Sequence, residues 1–203
     1  SPSTSVNSNV KATGEKKPTQ NRKPAYNRKN NSLAPQGKPV SEKKNRYSRR
    51  KTTKPSIRVA FLGGLNEIGK NITLFECEGD MFILDCGMTF PDGEILGIDL
   101  VIPDFSYVEK NMDKIKGLVI THGHEDHVGA IPYVLRSINA PIYTTRMTAG
   151  LVRLKLDEHR LTDKTKLITC EAGEVIRAGK FSVEFIHVNH SIADAVAFAI
   201  KTP

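Results

Sequence analysis

Thr121-His122-Gly123-His124-Glu125-Asp126-His127 directly follows the apolar run Gly117-Leu118-Val119-Ile120, and this junction constrains the fold more than any other stretch of the chain. Three of the six histidines fall within six residues together with Asp126, whereas capping a helix needs one such side chain. The apolar run reads as a strand, so the cluster lies on a strand-end loop. Alternate residues of an extended segment share a face, which points His122 and His124 the same way, and Gly123 between them permits a sharp backbone path. Asp126 and His127 turn towards a second position as a helix begins. Imidazole nitrogen with carboxylate oxygen suits zinc or manganese, and adjacent divalent ions about 3.5–4 Å apart are a phosphoester-cleaving arrangement. The helical motif H-E-x-x-H is not formed, because Val128 stands where its second histidine would be. Glu125, between the ligand candidates, is expected to be exposed or to stand behind them.

Composition divides the chain between Ser56 and Ile57. Residues 1–56 carry 15 Lys and Arg against only Glu15 and Glu42, while residues 57–203 carry 15 against 20 acids. The first piece has nine apolar side chains, too few to offset the ordering entropy of a fold, and is expected to be a disordered basic tail. Its cationic clusters include Arg22-Lys23, Arg28-Lys29 and Arg49-Arg50-Lys51. Spaced cations on a mobile chain bind phosphates by counterion release, so these residues are candidates for nucleic-acid contact, with a solubilising spacer as the alternative. No apolar stretch approaches a membrane span and no secretory h-region is present, which predicts a soluble cytoplasmic protein without a membrane partner. Cys77, Cys86 and Cys170 are irregularly spaced in apolar contexts and read as reduced core thiols. The chain begins with Ser and stops just after an apolar run, as a piece of something longer would.

Residues 57–203 read as mixed α/β with much antiparallel sheet. Strands are expected at Ile57–Leu62, Ile72–Cys77, Met81–Cys86, Leu118–Thr121, Pro141–Tyr143, Phe181–His187 and Ala195–Ile200, with Glu78-Gly79-Asp80 as a hairpin turn. One helix is expected from near His127, burying Val128, Ile131, Leu135 and Ile138; a second presents Met147, Leu151 and Leu154. Gly64 to Asn71 approaches the phosphate loop G-x-x-x-x-G-K-[S/T], but Asn71 lacks the required hydroxyl and a strand rather than a helix follows. The glycines are expected in a tight turn, with Glu67 and Asn71 free to brace a neighbouring site.

The stretch 121–130 resembles the H-x-H-x-D-H signature of the metallo-β-lactamase fold. Together with 61–71, 83–88, 99–104 and 188–194, it resembles the bacterial ribonuclease J family of the β-CASP branch over about residues 57–203. The resemblance implies an incomplete metallo-β-lactamase αβ/βα sandwich after the tail. It also implies two divalent metal ions, zinc in the first place with manganese or magnesium as alternatives. His122, His124 and His190 would bind the first, and Asp126 and His127 the second. His187 competes with His190, but strand alternation puts the two on opposite faces, and His190 sits at a strand end. Asp85 matches an aspartate that braces the metal loop, the alternative being a turn carboxylate before Gly87.

The implied activity is metal-dependent hydrolysis of RNA phosphodiesters, 5′-to-3′ exonucleolytic and endonucleolytic, in messenger RNA decay and ribosomal RNA maturation. Asp126 is the candidate to orient or deprotonate the attacking water, aided by the dipole of the following helix. A dimer or tetramer, and an RNA helicase or the ribosome as partners, belong to the same expectation. A bridging aspartate, a distal histidine and the β-CASP insertion of the family pattern do not occur before Pro203, so this piece alone is expected to be a poor catalyst. Two other readings remain: a hydrolase of small esters or thioesters, and a non-catalytic RNA-binding module.

Overall fold

A computed structural model describes residues 55–93 and 96–203. The basic clusters Arg22-Lys23, Arg28-Lys29 and Arg49-Arg50-Lys51 therefore lie outside the described residues.

Six strands form one sheet in sequence order: β1 (Ile57–Gly63), β2 (Ile72–Cys77), β3 (Asp80–Leu84), β4 (Ile115–Val119), β5 (Ile142–Thr144) and β6 (Leu167–Thr169). The first two pairings are antiparallel and the remaining three parallel. Glu78 and Gly79 join β2 to β3 with φ of 49° and 87°, the doubly positive turn whose twist matches that of the flanking strands. A second, antiparallel sheet contains β7 (Val175–Ala178), β8 (Phe181–His187) and β9 (Val196–Lys201).

Two apolar layers flank the large sheet, which explains why β3 reads as an uninterrupted apolar run. Met81 and Ile83 join Leu74, Leu118, Ile131 and Val152 in one layer, on the helical side. Phe82, between them in sequence, faces the other way into a layer with Phe181, Val183 and Phe185 of β8. The rings of Phe82 and Phe181 meet edge to face at 4.9 Å, and full burial of such a side chain contributes about 1.5–3 kcal/mol. The three cysteines are free thiols buried in these layers. Burial pushes the Cys86 thiol well above its ordinary value and Cys170 up to about 11.

The helices are α1 (Ser106–Glu109), α2 (Glu125–Val128), α3 (Ile131–Val134) and α4 (Arg146–Glu158). The single helix expected after His127 is thus two short ones, although Val128, Ile131, Leu135 and Ile138 are all buried as expected. The break begins where the Ala130 N–H donates to the Cys86 carbonyl at 2.9 Å while the Asp126 carbonyl accepts the Asn71 N–H at 3.0 Å, and Pro132 extends it, having no N–H to give the Val128 carbonyl. The dipole assigned to a helix beginning after His127 goes with it, because α2 has four residues and contains Asp126 and His127. In α4 the expected face is wrong as well. Met147 and Leu154 are exposed, whereas Thr148, Ala149, Val152 and Leu156 are buried. Thr148 enters the core because its hydroxyl donates to Thr145 Oγ1 at 3.3 Å, the Thr145 proton being given to the Asp194 carbonyl at 2.7 Å, so burial leaves both partnered. The short elements α1, β6 and β7 carry no strong pattern and were not expected. Among the described residues no helix is long and apolar enough to cross a membrane.

The parallel neighbours β3 and β4 pair Leu84 with Val119, so their carboxyl ends open on the same edge. Asp85 follows the first and Thr121 to His127 follow the second. The loop between β8 and β9 brings His190 to that edge, anchored where the Val196 N–H donates to the Thr121 carbonyl at 3.0 Å. Ligand sites of open parallel sheets lie at such carboxyl ends.

Candidate metal centre

Asp85 adopts φ of 57°, a left-handed conformation that aspartate tolerates better than most residues. Its backbone N–H donates to the Val119 carbonyl at 3.0 Å, and its carboxylate is turned inward and buried. Oδ1 accepts the Thr121 N–H at 2.8 Å, and Oδ2 accepts the His127 Nδ1–H at 2.8 Å. The Thr121 hydroxyl lies 2.9 Å from both carboxylate oxygens and 2.9 Å from His122 Nδ1. With its one proton given to Asp85, that hydroxyl accepts from His122 Nδ1–H. One carboxylate therefore sets two imidazoles, His127 directly and His122 through Thr121, and leaves a lone pair on Nε2 of each.

The His122 Nε2 lone pair faces His124 Nδ1 at 3.1 Å and His190 Nε2 at 3.1 Å. All three ligand atoms lie within 4.8 Å of one another. Two nitrogens held about 2.0–2.1 Å from one zinc ion at a tetrahedral angle stand about 3.3 Å apart, so the spacing suits a shared cation. The donor chemistry agrees: two ring nitrogens crowd one lone pair, and a cation satisfies all three at once. Burial, then the neighbouring imidazoles of His127, His190 and His124, pull His122 down to about 4 despite an opposing effect of Asp126. It thus stays neutral and able to ligate well below neutral pH.

Asp126 Oδ2 lies 3.4 Å from His127 Nε2, and the His122 and His127 ring centroids are 4.1 Å apart. This pair forms a second group of donors beside the three imidazoles. Burial lowers His127, but the hydrogen bond and charge of Asp85 and the charge of Asp126 outweigh it and leave the imidazole above its ordinary value. Asn71 reaches both residues: its Nδ2 is 3.1 Å from Asp126 Oδ2 and 3.3 Å from His127 Nε2. Glu67, named with it as a brace, instead pairs with Lys70 at 2.8 Å and caps the Gly64 N–H at 3.1 Å. Glu125 turns towards α4, where Lys155 Nζ donates to both of its oxygens at 2.6 and 2.7 Å. His187 is exposed at the end of β8. Gly123 is not in the left-handed region, and a Cβ there would press only on the movable tip of Leu151, so the sharp bend expected at this glycine is not what the backbone shows.

Asp85, His122, His124, Asp126, His127 and His190 thus meet at one edge. Thr121 and Lys155 went unnoticed in the sequence, because a threonine before the histidines and a lysine on a charged helix carry no signal of their own.

Residues 65–184 match the metallo-beta-lactamase superfamily. The chain belongs to that superfamily. Membership implies divalent-metal binding, and among the described residues the His122, His124 and His190 cluster is the place where three such donors converge. The chain is 45% identical to ribonuclease J of Synechocystis sp. over 154 residues, which make up 75% of this chain and 24% of that protein. It is 41% identical to ribonuclease J of Helicobacter pylori over 157 residues, 77% of this chain and 23% of the relative. It therefore spans about a quarter of the length of these relatives. A crystal structure of a protein of unknown function from Enterococcus faecalis V583 superposes with a TM-score of 0.56 at 19% identity, over 74% of this chain and 41% of that one. That likeness concerns the fold.

The imidazoles give the metal-free protein a definite pH response. His122 titrates near 4 when folded against 6.5 when free, so between those values the unfolded chain binds more protons and stability falls as pH falls. His127, shifted upward, acts in the opposite sense and gains stability on acidification. Thermal unfolding with chelator from pH 7 to pH 5 is expected to show a falling midpoint, and His122→Asn to flatten the fall. An equal fall in the variant would assign it to other groups.

Proposed function

We propose that this chain carries the metal-holding part of an RNA phosphodiester hydrolase. The reading rests on one observation, the convergence of His122, His124 and His190 beside Asp126 and His127 at the carboxyl edge of β3 and β4. RNA as the substrate is supported by the name of the relatives, ribonuclease J, at 41–45% identity. The 15 Lys and Arg among residues 1–56 suit a phosphate polymer better than a small ester. We divide the chain accordingly into a basic arm, 1–56, and a metal-holding domain, 57–203.

His122, His124 and His190 would hold one divalent cation, and Asp126 with His127 a second, zinc in the first place and manganese or magnesium as alternatives. Such cations, when bound, polarise phosphoryl oxygens and lower the pKa of water. The chain's own residues supply the rest. Asp85 and Thr121 fix the two imidazoles whose Nε2 lone pairs face the centre. Asp126, with its side chain 40% exposed, reaches solvent and accepts a proton from the attacking water. Lys155 ties Glu125 to α4 and keeps that carboxylate out of the centre.

The test uses a polypeptide extending this sequence to the length of the relatives, supplied with 5′-monophosphorylated RNA and manganese or zinc. Chelator-sensitive cleavage of RNA is expected, with little turnover of lactone or thioester substrates. The reverse preference would move the substrate to small esters, and binding without turnover would leave an RNA-binding module. Deleting residues 1–56 is expected to weaken RNA binding at low salt and to flatten its salt dependence; an unchanged slope would make the arm a spacer.

A further inference from the structure

We propose that Asn71 is a positioning residue for the Asp126–His127 half of the centre alone, so that the second cation position can be tuned apart from the first, although both share the Asp85–Thr121 relay. The inference rests on the two-cation reading above.

Asn71 stands immediately before β2. Its main chain is committed, with the N–H donating to the Asp126 carbonyl at 3.0 Å and the carbonyl accepting the Gly87 N–H at 2.9 Å. Its side-chain Nδ2 lies 3.1 Å from the Asp126 carbonyl, 3.1 Å from Asp126 Oδ2 and 3.3 Å from His127 Nε2. All three are acceptors, since His127 gives its Nδ1–H to Asp85. Only the NH2 end of the carboxamide can face them, as the oxygen would meet a carboxylate and a lone pair. Two hydrogens cover the two Asp126 oxygens. This fixes the Asp126 rotamer with Oδ2 engaged and Oδ1 free, and it holds the aspartate against the imidazole 3.4 Å away.

Asn71 makes no hydrogen bond to His122, His124 or His190, whereas the Asp85–Thr121 relay reaches both halves. The two neighbours should therefore be separable by substitution. Loss of a hydrogen-bonding partner behind a ligand typically lowers metal affinity 10–100-fold. Asn71→Ala removes the carboxamide while keeping both main-chain hydrogen bonds, so it should act on one position only. Asp85→Asn should act on both.

Cobalt(II) titration of the 203-residue chain, followed by visible absorption and equilibrium dialysis, tests this. The wild type should take up cobalt in two phases. In Asn71→Ala the second phase should move to about 10–100-fold higher cobalt while the first moves less than about threefold; in Asp85→Asn both should move. If Asn71→Ala shifts both phases or neither, or if Asp85→Asn shifts only one, the separation is refuted. A single phase in the wild type would remove the two-cation reading itself and this inference with it, and that outcome is seen before any variant is made.

Discussion

Replacing His122 by alanine is expected to abolish cation binding at the three-imidazole position, lowering affinity by at least about 10³-fold, or roughly 4 kcal/mol. His122 is the shared member of that group: its Nε2 is 3.1 Å from the ring nitrogens of both His124 and His190. Its removal leaves two donors with nothing between them. The effect can be read without catalysis. A ligand that binds only the folded state raises stability by about 4 kcal/mol at a thousandfold excess over its dissociation constant. Zinc should therefore raise the thermal midpoint of the wild type and raise that of His122→Ala by much less, since only the Asp126–His127 position is left to bind it. Without zinc the two proteins should melt within a few degrees of each other, since the neutral His122 ring contributes one hydrogen bond to Thr121. His159→Ala is the control, because that imidazole lies against Tyr133 and Arg136 rather than in the centre. A zinc-induced shift as large in His122→Ala as in the wild type would place the cation away from the three imidazoles. In a polypeptide of the relatives' length the same substitution should reduce RNA cleavage to background.

The parts of this centre that could be read from the chain are those that lie close together along it. His122, His124, Asp126 and His127 announce themselves because six residues at a strand end have few ways to point. His190 lies 68 positions from His122, and only the resemblance pointed to it correctly: strand alternation does not relate it to His187, because β8 ends at His187 and His190 lies in the loop beyond. The supporting layer was harder, because support is a matter of contact. Asn71 sits 55 positions from Asp126, and Lys155 sits 30 from Glu125; no local pattern marks either pairing. The fold shows the same division. The β2–β3 hairpin and β8 were legible as long alternating or apolar runs with turn residues between them. Strands β6 and β7 have three and four residues, too few for a period to emerge. The buried face of α4 was misjudged because Thr148 counts as polar until its hydroxyl finds Thr145.

Gly87 carries the second large effect, and it is one of space. The residue is not in the left-handed region that glycine alone favours. A Cβ built on it, however, would overlap the Asp126 carbonyl and come within 2.8 Å of the His127 nitrogen. Main chain packs directly on main chain there, laced by Gly87 N–H to the Asn71 carbonyl at 2.9 Å and Asn71 N–H to the Asp126 carbonyl at 3.0 Å. Backbone cannot rotate out of the way as a side-chain tip can. Gly87→Ala must push the 126–127 segment outward, breaking those hydrogen bonds and parting Asp126 and His127 from Asn71. Overpacking of this kind costs about 3 kcal/mol or more, a fall of about 6–12 °C in the thermal midpoint for a domain of this size. Gly150, inside α4 with nothing within 4 Å of its Cβ position, supplies the contrast: Gly150→Ala should stabilise by up to about 1 kcal/mol through helix propensity. Unfolding of both variants in chelator separates the contributions of space and propensity. A midpoint for Gly87→Ala within two degrees of wild type would mean that the metal loop yields more easily than its main-chain bonding implies, and the bracing assigned to Asn71 would then lose its anchor.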